Sequence, residues 1–426
     1  MTTTLSAQAL NQATHGLAEA NQVFAVRYPG ESGARQPVHS FYGGAQLFRA
    51  DTARKLGTLA LESLDRYAPD AAILGRVLDI DPGLAERVCG PVREKLHREP
   101  VEDYRIDFED GYGNRPDAEE DGHAVQTAQE VAKAAAAGLL PPFIGIRIKP
   151  LNQELRARSI RTLDLFLTAL LEAGSGKLPP NFVVTLPKIT IPEHPAVLAR
   201  LLNKFEEAAG LGAGTLRFEM MIETAQAIPQ LQALYDACAG RCAGAHFGTY
   251  DYTASCGITA AHQHMLHPAC DFARSAMQVA FAGTGLWLSD GGTNVMPIGS
   301  AEVVHRAWKL HFDHIQHSLA NAFYQGWDLH PAQLPTRYAA VYAFYLEGLD
   351  AAASRLKNFV EKAARATLVG DIFDDAATGQ GLLNFFLRAV NCGAIAEAEA
   401  QQLTGLTREE FLSGSFVKIL DRRRRA

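Results

Sequence analysis

The feature that most restricts the fold of this chain is a rhythm. Eight short strand-like runs alternate with longer stretches of helical periodicity. The runs are PVHSFYG (37–43), DYRIDFED (103–110), FIGIRIK (143–149), NFVVTLPKI (181–189), LRFEMMIE (216–223), GAHFGTYD (244–251), GLWLSD (285–290) and GWDLHP (326–331). Several carry the β-branched and aromatic residues that suit a pleated strand. Between them, QELRARSIRTLDLFLTALLEAG repeats Ile160, Leu163, Leu167 and Leu170 at three- and four-residue steps, and Gly174 supplies a stop. Residues 117–138, 194–209, 225–239, 259–283 and 300–325 behave alike. Alternation of this kind requires a parallel sheet. Eight units over roughly 310 residues predict a closed (β/α)8 TIM barrel rather than an open sheet.

The expected organisation is an N-terminal extension (1–36), the barrel (37–349) and a C-terminal extension (350–426). The last reads as all helix, from segments such as RLKNFVEKAARA and GLLNFFLRAV. No linker separates it from the barrel, so it should pack on the barrel or on a neighbouring subunit of a homo-oligomer. GLGAGT at 210–215 joins a helix to the fifth strand at the barrel bottom, which makes it a turn rather than a dinucleotide loop.

Charge narrows the function. A net charge of -7 opposes broad nucleic-acid binding, which needs a basic field. The one basic run, Arg422 to Arg425, reads as a solvated tail. Six scattered cysteines form no CxxC pair and read as reduced, mostly core residues. MTTTLSAQAL lacks a basic-then-apolar leader pattern, and no apolar run reaches membrane-spanning length. The expectation is a cytoplasmic protein that does not engage membranes.

In a barrel of this type the active site lies at the C-terminal strand ends. Those ends carry Asp107, Glu109, Asp110, Arg147, Lys149, Lys188, Glu223, Asp251, Asp290 and His330. A single acid there can be a helix N-cap, a reading that fits Asp110, Asp290 or Glu223 taken alone. Acids at the ends of adjacent strands five and six, with more on strand two, would repel one another and raise their pKa values. A divalent cation resolves that conflict, and an all-oxygen site favours Mg²⁺ or Mn²⁺. Glu223 and Asp251 are the expected metal ligands. Arg147, past Gly145 on one strand face, offers a planar charged fork for a substrate carboxylate or an oxyanion. It could equally pair with a strand-two acid, and the two roles are compatible.

The ordered motifs DFEDGYG (107–113), IRIKP (146–150), LPKI (186–189), MIETAQ (221–226), GTYDYTASCG (248–257) and LHPAQ (329–333) resemble those of the citrate lyase β-subunit-like family. That family includes malyl-coenzyme A lyase, within the HpcH/HpaI aldolase and malate synthase superfamily. DFED and GTYDY lean towards malate synthase, LHPAQ towards citrate lyase β. The resemblance implies Mg²⁺ on Glu223 and Asp251, with Glu109 and Asp110 in or beside the metal's water shell. It also implies that Arg147 holds the substrate, that Lys188 pairs with the acid cluster and is the second substrate-binding residue, and that His330 is structural. The general base would come from the C-terminal region, where Asp374 and Asp375 are the candidates.

The expected activity is carbon–carbon cleavage or condensation through an enolate, on a hydroxy or oxo acid or its coenzyme A thioester. The rivals are a malate synthase-like condensing enzyme or a thioester hydrolase on the same metal site, a metal-free aldolase using Lys149 or Lys188 as a Schiff base, and a non-catalytic paralogue that binds a small acid.

Overall fold

The computed structural model describes residues 4–31, 33–361, 367–369, 372–374, 376–413 and 416–425. Eight strands form a closed parallel barrel in sequence order: β1 (His39–Gly44), β2 (Asp103–Asp107), β3 (Phe143–Arg147), β4 (Phe182–Leu186), β5 (Arg217–Ile222), β6 (Cys242–Phe247), β7 (Trp287–Gly292) and β8 (Gln325–Asp328). The barrel closes where β1 pairs with β8, His39 opposite Gly326. This is the (β/α)8 TIM barrel that the alternation predicts.

The connections follow the expected pattern, with two additions. Three helices, Thr52–Tyr67, Ala71–Leu78 and Pro82–Arg98, fill the long passage from β1 to β2. After β6, residues expected to finish the strand start a short helix, Thr249–Ser255, so Asp251 stands in a first helical turn rather than on a strand. Phe247 and Tyr250 gave that segment its strand-like composition.

Alternation along the strands sorts the core. Ile144 and Ile146 of β3, Val184 and Leu186 of β4, and Phe218, Met220 and Ile222 of β5 are buried in the hydrophobic layer between barrel and helices. There Phe166 of helix Arg156–Ala173 stacks on Phe182. The inward rows are polar instead of the usual Val, Ile and Leu layers. Arg105 donates to Glu219 at 2.8 Å and also bonds Asp103. Ser40 donates to Asp103 at 2.5 Å and accepts from Gln325 at 2.9 Å.

Before the barrel lie helices Ala7–Ala13 and Leu17–Arg27. After it, helix Ala376–Cys392 packs on the last barrel helix, Leu334–Glu347, with the rings of Tyr345 and Phe385 5.3 Å apart. The C-terminal extension is not all helix. Thr367–Val369 and Ile372–Asp374 form a two-stranded antiparallel sheet, a pairing foreshadowed by two short apolar runs flanking Gly-Asp. In the last helix, Phe416–Arg425, Arg422 and Arg423 remain exposed and pair with Glu409 at 2.8 Å and Glu410 at 2.5 Å. All six cysteines are free, four of them buried, with Cys89 half-buried and Cys256 exposed. Among the described residues no helix is long and apolar enough to cross a membrane.

Candidate active site

The C-terminal ends of the strands open into a cavity of about 700 Å³. One side is acidic, with Asp107, Asp110, Glu223 and Asp251; the other is aromatic, with Phe41, Tyr42, Tyr104 and Trp327; Arg147 reaches in from β3.

Arg147 ends β3 and is buried. Its Nε donates to Asp107 Oδ1 at 2.7 Å, a second nitrogen bonds Asp107 Oδ2, and the third lies 3.3 Å from Glu109. The face of the guanidinium rests over the rings of Tyr42 (5.0 Å) and Trp327 (6.0 Å). The ion pair anticipated with a strand-two acid is therefore present: Asp107 fixes the plane of the guanidinium, and the nitrogen facing Glu109 is the least committed. Gly145 allows close passage of β4, since a Cβ there would meet the Val183 carbonyl oxygen.

Asp107 organises more than the arginine. It accepts from the backbone N–H of Glu109 at 2.9 Å and of Gly111 at 2.7 Å, which folds the acidic turn back towards the cavity. Neither Glu109 nor Asp110 caps a helix. Both receive the Lys188 ammonium, Asp110 at 3.0 Å through each oxygen. Burial pushes the Glu109 carboxyl above its ordinary range, whereas Arg147 and Lys188 outweigh burial at Asp110 and hold it below.

Lys188 follows β4 in a left-handed backbone conformation (φ 50°). That turn aims its N–H at Glu223 Oε1, 2.7 Å away, while its ammonium spans Glu109 and Asp110 and lies 3.8 Å from Asp251. Although burial opposes it, Glu109 and the other acids hold the ammonium above its usual pKa.

Glu223 immediately follows β5 and is 1% exposed. Among the described residues it has no ion-pair partner. Burial, reinforced by the nearby Asp251 carboxylate, pushes its carboxyl up to about 8. Burial also raises Asp251, with Lys188 opposing. Gly248 makes the juxtaposition possible: a Cβ there would meet the Glu223 carboxylate and lie 2.5 Å from its Cβ. Among the described residues no group of three or more His, Cys, Asp or Glu side chains is arranged to hold a metal ion; Glu223 and Asp251 are a pair.

The remaining strand-end residues leave the cavity. Lys149 turns outward, its ammonium on the Phe108 carbonyl (2.6 Å) and Glu120 (2.7 Å). Asp290 lies within β7, which runs on to Gly292, and bonds Arg274 (3.1 Å) and Ser318 (2.6 Å) behind the sheet. His330 caps a 3-10 turn by accepting from the Ala332 N–H at 3.1 Å. Asp375 lies outside the described residues; Asp374 ends the short strand Ile372–Asp374. Glu219, one layer below Glu223, is held by Arg105 of β2 and His246 of β6. Arg217, two residues earlier on the same strand, and Lys204 bond the Cys242 carbonyl and Glu207 and form no ion pair with it. Tyr42 and Trp327, which wall the cavity, escaped the sequence reading; the only signal was an aromatic at an inward position of the first and last strands.

A family model, described as a domain of unknown function, matches residues 17–419. The chain belongs to the DUF6986 family. No curated protein matches this DUF6986 chain in sequence. Among solved structures it is similar to a citrate lyase from Burkholderia xenovorans LB400, at 18% identity and a TM-score of 0.59 over 87% of this chain and 96% of that one. It is also similar to Haloferax volcanii malate synthase. The native form at 3 mM glyoxylate gives 14% identity and a TM-score of 0.51 over 90% and 98% of the two chains. The lead(II) complex gives 14% and 0.50 over 88% and 98%. At such identities the likeness establishes a shared fold.

Proposed function

We propose that this DUF6986 protein is a Mg²⁺-dependent carbon–carbon lyase or condensing enzyme. Its substrate would be a hydroxy or oxo acid, free or as a coenzyme A thioester. The observation that carries the proposal is Glu223: a carboxylate buried in the cavity wall beside a second carboxylate, without a cation of its own. Among the described residues, five acids (Asp107, Glu109, Asp110, Glu223 and Asp251) share this mouth with three cations, Arg147, Lys188 and Lys55, and Lys55 is paired with Asp51 at 3.1 Å. Such a deficit fits a divalent cation held by Glu223 and Asp251, because Mg²⁺ uses one or two protein carboxylates and takes its other ligands from water and substrate. Mn²⁺ would serve in the same place.

When bound, the cation supplies a Lewis acid that polarises the substrate's carbonyl or hydroxyl oxygen and orients its carboxylate. The chain's own residues do the rest. Arg147, locked in plane by Asp107 and the two rings, would turn its least committed N–H edge, the one beside Glu109, to the oxygen on which charge develops as the carbon–carbon bond breaks or forms. Lys188 holds Glu109 and Asp110 together, so that they can order water beside the metal. The acidic surroundings of Lys188, and the salt bridge that turns Lys149 away, oppose Schiff-base chemistry at either amine. For the general base we retain Asp375, in a C-terminal extension (350–426) appended to a catalytic barrel of residues 37–349. Similarity in fold to citrate lyase and malate synthase supports the reaction class.

The test is a screen of free hydroxy acids and coenzyme A thioesters for release of glyoxylate, pyruvate, oxaloacetate or acetoacetate, run with Mg²⁺ and with a chelator. Turnover that needs Mg²⁺ is expected. Turnover that survives chelation, or that yields only free coenzyme A with the carbon skeleton intact, would refute it.

A further inference from the structure

Beneath the cavity wall lies a hydrogen-bonded chain that the proposed chemistry does not use directly. Trp327 Nε1 lies 3.2 Å from His246 Nδ1, and His246 Nε2 lies 3.0 Å from Glu219 Oε2. An indole N–H can only donate, so Nδ1 must accept, and the imidazole proton sits on Nε2, where it is donated to Glu219. The two partners thus fix the roles of the two ring nitrogens, Nδ1 accepting and Nε2 donating. The inner end and the middle of the chain are fixed: Glu219 also accepts from Arg105 at 2.8 Å, and His246 is 1% exposed.

The other end faces the site. The Trp327 ring lines the cavity, packs on Tyr42 with centroids 4.7 Å apart, and lies 6.0 Å from the Arg147 guanidinium carbon. An indole free to turn about its side-chain bonds would carry away one of the two rings that flank Arg147. From this geometry we infer that His246 is a positioning residue: clamped between Glu219 and Trp327, it fixes the indole wall that aligns Arg147 for an anionic substrate. The inference rests on the reading of the cavity as a metal and oxo-acid site, and it adds a determinant one layer below the groups that touch substrate.

Oxalate, a planar dicarboxylate that resembles the enolate of a small oxo acid, is a suitable probe in the presence of Mg²⁺. His246→Phe keeps the volume but removes both hydrogen bonds, whereas His246→Gln retains an acceptor for Trp327 and a donor for Glu219. Calorimetric titration should give Mg²⁺ affinity within about twofold of wild type in both variants. Oxalate should bind about tenfold more weakly to His246→Phe, equivalent to about 1.4 kcal/mol, and within about threefold of wild type to His246→Gln.

An independent readout needs no variant at position 246. The Trp327 indole N–H resonance, assigned by its loss in Trp327→Phe, should be shifted downfield and slow to exchange in the wild type. A solvent-like, rapidly exchanging indole N–H would overturn the inference even if His246→Phe failed to fold. Equal oxalate affinity in His246→Phe and wild type would overturn it, as would a His246→Gln variant no better than His246→Phe. If wild-type protein with Mg²⁺ bound no oxalate at all, the metal and oxo-acid reading itself would fall and take this inference with it; failure of the positioning role alone leaves wild-type binding intact.

Discussion

Replacing Glu223 by Gln should change how stability depends on pH, in a direction fixed by the burial of that carboxyl. The side chain is 1% exposed, and its carboxyl titrates near 8 in the folded chain against 4.5 as the reference value. Between those values the folded protein keeps a proton that the unfolded chain has released. Stability therefore falls as pH rises through the window, by about 1.4 kcal/mol per pH unit for one fully linked group. From pH 5 to pH 8 the accumulated loss is about 3–4 kcal/mol, a large share of the 5–15 kcal/mol that is usual for a folded domain. Gln has no proton to lose, so Glu223→Gln should remove this slope and be the more stable protein at pH 8 without metal. Urea denaturation at pH 5, 6, 7 and 8 in chelator, for wild type and variant, measures it; the difference between the two isolates Glu223 from Asp251 and Glu109, which burial also raises. Saturating Mg²⁺ should restore the wild type at pH 8, by about 2.7 kcal/mol at a hundred times its dissociation constant, and leave Glu223→Gln unmoved. Parallel pH curves for the two proteins in chelator would refute the reasoning, because Glu223 would then be ionised or solvated in the folded state.

Arg147→Lys preserves the charge but cannot span both oxygens of Asp107. Denaturation should show a loss of about 1.5–3 kcal/mol for one charged hydrogen bond. With a substrate in hand, kcat/KM should fall by a further about 2–4 kcal/mol, the cost of an oxyanion donor; a stability loss with unaltered kcat/KM would leave Arg147 with the structural role alone. Glu219→Gln should leave Mg²⁺ affinity within about twofold by calorimetry, because Glu219 is committed to Arg105 and His246. It should cost about 3–5 kcal/mol of stability by breaking a buried pair, and loss of metal binding with stability intact would contradict that assignment.

Much of this architecture was legible because local chemistry and tertiary structure agree. The β-branched and aromatic runs became strands, and Ile160, Leu163, Leu167 and Leu170 lie along one helix that packs against the sheet. Agreement failed where long-range pairing decided the outcome. Asp290 and Lys149 resemble strand-end site residues, but their partners Arg274, Ser318 and Glu120 lie on outer helices, and an unpaired charge there would be costly. The partner of Glu219 sits 114 positions away on β2, beyond the reach of any local pattern. Tyr42 and Trp327 meet only because the barrel closes β1 against β8. Glu223, Asp251, Arg147, Glu109, Asp110 and Lys188 could be named in advance because acids and bases crowded at successive strand ends are expensive unless they converge on something.

The most direct measurement of the central claim is the electron paramagnetic resonance signal of free Mn²⁺ during titration of the protein, with and without oxalate. One site per chain is predicted in the wild type, tightened by oxalate and competed by Mg²⁺. It should be absent from Glu223→Gln/Asp251→Asn while that variant remains folded by circular dichroism. Wild-type-like Mn²⁺ affinity in the folded double variant would contradict the account, because the cation would then be held elsewhere and the Glu223–Asp251 pair would have another purpose.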